Sequence, residues 1–173
     1  MDKNNNQDLP IIGSNVKVDI AGHTKIPAKI DTGAEFSAVW ASNIIITSEN
    51  HLVFSLFAPE SPFYTGERIE VADFAARTVR NSTGHEQIRY RVQLPVRIQG
   101  RKIRMNFTLA DRSRNNFPIL IGRRAIMGKF LVDVSKVNIR TEKKTVDLSL
   151  NDELKSDPQA FHQKYIAKTS PEK

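Results

Sequence analysis

Lys29-Ile30-Asp31-Thr32-Gly33-Ala34 and Ile119-Leu120-Ile121-Gly122-Arg123, about ninety residues apart, are the two stretches that decide the fold. In the first, a strand from Lys25 to Ile30 runs straight into an acid on a tight turn. Gly33 permits close backbone approach there, Thr32 can bond backbone groups with its hydroxyl, and Ala34 is small enough to leave room for a neighbouring carboxylate. In the second, an apolar strand ends at a glycine and can close the loop beneath that turn, with Ile121, Gly122 and Arg123 as its support. The chain carries one such pair of stretches.

One turn supplies one carboxylate. Two such turns face to face place two carboxylates within a few ångströms, and like charges so close cannot both ionise. The ionised member can activate a water while the protonated one donates to a carbonyl. Chemistry of that kind therefore requires a homodimer of this chain.

Around this nucleus the chain reads as strands. Asn15 to Ile20 alternates apolar and polar, and Phe36 to Ile46 and His51 to Phe57 follow as further strands. Ala58 to Glu67, with two prolines and a glycine, is a loop. Val71 to Arg80 and Gln87 to Leu94 read as the arms of a hairpin about Asn81-Ser82-Thr83-Gly84, and Arg97 to Arg101 as a second hairpin about Gln99-Gly100. Met105, Phe107 and Leu109 alternate on the next strand. Asp111 to Asn116 is a polar loop, Arg123 to Met127 a short helix stopped at Gly128, and Phe130 to Val134 the last strong strand. Weaker strand signals run from Val137 to Val146. Asp157-Pro158 opens a terminal helix with an N-cap and a first-position proline. The expected organisation is a disordered tail over 1–9, an all-β domain over 10–140, and a C-terminal extension over 141–173 with a possible short helix and a flexible tail.

Composition narrows the function. The 173 residues contain no cysteine, which excludes disulfides and thiolate metal sites. No apolar run approaches a membrane span. Met1 to Asp8 lacks the basic and apolar regions of a signal peptide, so a cytoplasmic location is expected, and a periplasmic one only if the chain is part of a longer protein. Net charge is +7, but unevenly spread. Between Arg77 and Arg140 there are 15 Lys and Arg against three acids (Glu86, Asp111, Asp133), a net +12, and the rest of the chain is −5. A basic block dominated by arginine is a solvated face, or it attracts acidic peptides or nucleic acid. Few aromatic residues accompany it, which argues against stacking on single strands.

The chain resembles retropepsin-type aspartic peptidases, and within them the bacterial RimB-like family, also labelled ATP-dependent zinc protease. The match lies in Ala28 to Ala38, in Val79 to Gly84 followed by Glu86 and Arg89, and in Pro118 to Arg124 continued by Gly128 to Lys136. One departure is Phe36, where the family usually has Thr.

The resemblance implies a closed β-barrel forming one acid-protease lobe, with one short helix after Gly122. It implies an aspartic endopeptidase in which Asp31 is the catalytic acid and Thr32, Gly33 and Ala34 hold it. The hairpin from Val79 to Tyr90 becomes a flap, so Arg80, Ser82, Gly84, Glu86 and Arg89 are candidates for substrate contact, Arg80 and Arg89 facing the cleft or bracing the hairpin. Arg123 takes a structural role. The family's association with glutamate-adding ligases of the RimK type points to acidic peptide or protein substrates. No cofactor and no metal are expected: His23, His51, His85 and His162 lack ligand spacing, and no glycine-rich phosphate loop is present. Nucleic acid and membranes are not expected as partners. The rival readings are a non-catalytic barrel that binds acidic peptides and one that binds nucleic acid. Three single residues are expected to be structural: Trp40 in the core, Ser37 closing a turn, and Asp133 pairing with an arginine.

Overall fold

The computed structural model describes residues 9–80, 84–139 and 148–165. The chain divides into two units, residues 1–140 and 141–173. Its strands are β1 (Ile11–Ile12), β2 (Asn15–Ile20), β3 (His23–Asp31), β4 (Ser37–Ile46), β5 (Leu52–Leu56), β6 (Ile69–Val71), β7 (Phe74–Arg80), β8 (Glu86–Ile98), β9 (Arg101–Ala110), β10 (Ile119–Gly122) and β11 (Leu131–Val132). Its helices are α1 (Arg123–Ile126), α2 (Leu148–Ser156) and α3 (Pro158–Tyr165).

Closure of the barrel depends on β10. The ladder runs β10-β3-β2-β8-β9-β4, and β10 also pairs with β4, so the ring closes on itself. β10 runs parallel to β3 and antiparallel to β4. It threads between the two strands that flank the Asp31 turn, and a closed ring leaves no unpaired edge at that point. The register is Ile119 beside Ala28, Ile121 beside Ile30 and Gly122 beside Asp31.

Alternation fills the interior. Val92, Leu94, Val96 and Ile98 of β8 are buried, and they face Met105 and Phe107 of β9 across an antiparallel ladder. Val16, Val18 and Ile20 do the same from β2. Phe54, Phe57 and Phe107 are the largest fully buried side chains, and burying each contributes roughly 1.5–3 kcal/mol. Trp40 is buried with them. At the tip of the β8–β9 hairpin, Gln99 and Gly100 both take positive φ (46° and 82°), the geometry of a two-residue primed turn, which glycine relieves.

Several elements differ from the sequence expectation. β8 is one 13-residue strand, continuous through the segment that the local pattern divides into a return arm and a second hairpin. Its near half pairs with β7 and its far half with β2. The stretch from Ile69 to Arg80 divides instead: β6 leaves the ring to pair with β5. The strand expected from Phe130 to Val134 shrinks to Leu131–Val132, paired with β1. Asp133 ends it by accepting from the Ser135 amide and hydroxyl (3.0 and 2.6 Å) and pairing with Lys136, so its partner is not an arginine. The chain after it is pinned to β2 by Asn15, whose side chain donates to the Ile139 carbonyl (2.9 Å) and accepts from the Ile139 amide (2.7 Å).

In the second unit α3 begins at Pro158, with Asp157 accepting from the Gln159 and Ala160 amides as its N-cap. The sequence pattern does not mark α2, because its apolar residues do not form a continuous stripe. The expected tail over 1–9, the strand signals over 140–146 and Ser82 lie, Leu9 excepted, outside the described residues.

Candidate active site

Asp31 ends β3 and its carboxylate turns back on its own loop. One oxygen accepts from the amides of Gly33 and Ala34, both at 3.1 Å. The turn therefore holds itself through the acid. Thr32, expected to fix it, is exposed and its hydroxyl makes no hydrogen bond among the described residues. Support from beneath comes from the β10–α1 junction. The Arg123 amide donates to the Ala34 carbonyl (2.8 Å), the Arg123 guanidinium donates to the Gly33 carbonyl (3.0 Å), and the Arg124 amide donates to the Glu35 carbonyl (3.3 Å).

Gly122 makes this junction possible. A Cβ there would stand 2.5 Å from the Phe36 carbonyl carbon and oxygen and 3.0 Å from the Ala34 carbonyl oxygen, so only glycine fits. Its amide donates to the buried Ser37 hydroxyl (3.1 Å). Thr108 of β9 in turn donates to the Ser37 carbonyl (3.3 Å). Ser37 thus closes the loop, as its place in the sequence suggested, and does so through a partner 85 residues away.

Above Asp31 lies a cleft of about 630 Å³, lined by the turn, by Thr78, Val79 and Arg80 of β7, by Arg89 of β8, and by Thr108, Arg112 and Leu120. Phe36 forms one wall. Two guanidiniums stand over its ring, Arg124 at 5.0 Å and Arg77 at 5.9 Å from the ring centre, an arrangement that a threonine could not offer. Arg124 also pairs with Glu35 (2.6 Å).

The two arginines of the β7–β8 hairpin separate. Arg80 lies across the hairpin from Glu86 and pairs with it, Nε to carboxylate at 3.0 Å. That pair is exposed and braces the hairpin, although Arg80 also reaches the cleft wall. Arg89 is half-buried in the cleft, with its Nε on Gln87 (2.9 Å). Gly84 is exposed beyond the ladder. The residue that sequence reasoning missed is Arg112. From the loop after β9 its Nε donates to the Phe117 carbonyl (3.1 Å), leaving its other donors for the cleft. Burial lowers the guanidinium pKa from its ordinary value, the charge of Arg89 lowers it further, and the Asp31 carboxylate opposes both. Burial lowers Arg89 as well. Nothing in the local pattern marks Arg112, since it sits in a polar loop among similar residues.

Among the described residues, no group of three His, Cys, Asp or Glu side chains is placed to hold a metal. The donor set for a zinc ion, which the family's alternative label names, is therefore not found there. No described helix is long and apolar enough to cross a membrane.

A closed barrel whose aspartate turn is held by a strand threaded between its flanking strands defines the class: a single lobe of the retropepsin-like, aspartic-peptidase type. The chain belongs to the RimB-like family, described as retropepsin-like aspartic endopeptidase RimB, which matches residues 11–143. Curated relatives carry the name "Probable alpha-L-glutamate ligase". The protein from Desulfotalea psychrophila is 26% identical over 115 residues, 65% of this chain and 25% of its own length. Its counterpart in Shewanella pealeana is 28% identical over 118 residues, 66% of this chain and 26% of its own. The chain thus spans about a quarter of the length of these relatives. A solved structure, Lpg0085 of unknown function from Legionella pneumophila, superposes with a TM-score of 0.59 at 23% identity, covering 74% of this chain and 95% of that one. The likeness is one of fold.

Proposed function

We propose that this chain is an aspartic endopeptidase that cleaves acidic peptide segments as a homodimer. The observation that carries the reading is the Asp31 turn. Its carboxylate is fixed by two amides, its backbone is braced by Arg123, and it opens onto a cleft whose cations are Arg80, Arg89 and Arg112. The second Asp31 comes from a second copy, across the exposed Thr32 and Gly33. One carboxylate of the pair then deprotonates the attacking water and the other protonates the scissile carbonyl.

The acidic preference rests on desolvated guanidiniums. Arg112 and Arg89 are the partly buried cations of the cleft that holds Asp31, and each can form charge-assisted hydrogen bonds with a carboxylate. The glutamate-ligase name of the curated relatives is consistent with acidic chains as the shared chemistry.

The test is digestion of a proteome-derived peptide library by the full chain and by Asp31→Asn. The amide keeps the shape of the side chain but cannot share the proton. Cleavage is expected to fall by about 10²-fold or more with the melting temperature little changed. Specific activity of the parent should rise with protein concentration. Cleavage by Asp31→Asn near the parent rate refutes the aspartic mechanism, and full activity in a strictly monomeric sample refutes the dimer.

A further inference from the structure

A second, smaller recess lies beyond Phe36 from the catalytic cleft, on the outer face of β8 and β9. It is bounded by Phe36 and Ser37, by Arg91 of β8, by Arg104 and Asn106 of β9, and by Arg124 and Lys129 around α1. The register places Arg91 opposite Thr108 and Arg104 opposite Pro95, so both arginines stand on the face away from the buried Val92, while Met105 and Ala125 contribute to the floor of the recess. Four cations converge on this space and no carboxylate lines it. Arg124 is engaged with Glu35. Arg91, Arg104 and Lys129 make no ion pair with any described carboxylate.

We infer that this recess is a binding site for a phosphate-class dianion. Size and charge both select that class. The recess is about 100 Å³, less than a fifth of the Asp31 cleft, which suits a compact group better than a chain segment. A phosphate carries a charge of about −1.5 to −2 at neutral pH with three acceptor oxygens. That charge matches three unpaired cations, and a single carboxylate leaves the cluster under-neutralised. Guanidiniums from two adjacent strands can each donate two parallel hydrogen bonds to such a group, while Lys129 contributes a point charge and Asn106 a neutral donor. The ligand is a free phosphate or the phosphoryl group of a monoester. The site is separate from the Asp31 cleft, and its occupancy does not depend on that cleft's catalytic reading.

Calorimetric titration of the full chain with inorganic phosphate, at ionic strength held constant with sodium chloride, tests it without any cleavage readout. Saturable binding with one site per chain is expected. Arg104→Gln and Arg91→Gln should each weaken it by ~10-fold, the loss of one charge-assisted hydrogen bond. Arg97→Gln, on the same strand outside the recess, should leave it unchanged. Phenyl phosphate separates the sources: equal binding by the monoester assigns the site to phosphoryl groups, and exclusion of the monoester assigns it to the free ion. The inference is overturned if phosphate does not saturate. It is also overturned if Arg97→Gln weakens binding as much as Arg104→Gln, since the effect is then general surface charge. Displacement of phosphate by a Glu-rich peptide overturns it too, because the recess is then an extension of the substrate cleft.

Discussion

The turn that carries Asp31 and the hairpin that overhangs it are built on opposite plans. The amides of the turn bond to Asp31 itself, but its carbonyls and the strand beneath it bond to partners far away in sequence: Gly33 and Ala34 carbonyls to Arg123, and the Gly122 amide to Ser37. The hairpin is held mainly by its own ladder, from Phe74 beside Val92 to Arg80 beside Glu86, with one exposed ion pair at its far end and the Arg77 guanidinium over Phe36 as its contact with the turn. Ile88 on that hairpin is 74% exposed. Cooperative long-range bonds fix a reacting group in place. Local pairing leaves a covering element nearer the low-stability end of the molecule, where binding elements commonly lie. On the proposed reading, the difference separates the part that would carry the chemistry from the part that would select the substrate.

The sharpest way to break this contrast is Gly122→Ala. A methyl group there meets backbone, which cannot rotate away, and it wedges apart the strand that braces the turn. Overpacking of this kind costs about 3 kcal/mol, which corresponds to a drop of roughly 6–12 °C in melting temperature for a chain this size. A variant that melts with the parent would show that the junction is loose and the contrast false.

Ser37→Ala should cost less, about 1–3 kcal/mol, because it strands the buried Gly122 amide without an acceptor. Thermal unfolding checks the stability. Activity should fall beyond the loss of folded protein if the amide helps to place the Asp31 turn.

The selecting part is probed by kinetics. Arg112→Gln and Arg89→Gln should each raise the KM for Glu-rich peptides by ~10-fold relative to neutral peptides, the value of one charge-assisted hydrogen bond. Arg80→Gln should do far less, since its charge is exposed and already shared with Glu86; exposed pairs contribute about 0–1 kcal/mol. Equal effects of all three on neutral and acidic peptides would reduce the arginines to a solvated face.

Asp133 marks the small end of the scale. Ser135 holds its carboxyl below the usual carboxylate range. A depressed folded-state pKa contributes stability above the unfolded value, about 3.9, and that stability is lost as pH falls through the folded value. Asp133→Ala should therefore lower the melting temperature slightly at pH 7 and by less at pH 3. A penalty that grows on acidification reverses the sign and defeats the assignment.

Much of the site could be read without coordinates. Asp31-Thr32-Gly33 after an apolar strand, and Ile119-Leu120-Ile121-Gly122, each carry a local signature: an acid at a strand end, and a glycine where a side chain cannot fit. Strand alternation from Asn15 to Ile20 and from Met105 to Leu109 marks their buried faces because period two is a local property. The N-cap at Asp157 is equally local. β8 was harder, since its polar outward face and Pro95 resemble a break, and only pairing with three different neighbours keeps it one strand.

What the sequence by itself determined is therefore the all-β class, the acid and the glycine that must lie beneath it. Tertiary structure alone decided which cations reach that acid. Arg80 and Arg89 both border the cleft, but strand register pairs Arg80 with Glu86 and leaves Arg89 half-buried there without a carboxylate partner among the described residues. Arg112 enters, and Ser37 finds its partner in the Gly122 amide, only because closing the barrel brings a polar loop and a strand end to the same place. Register and closure are properties of the whole ring, and a window of neighbouring residues does not contain them.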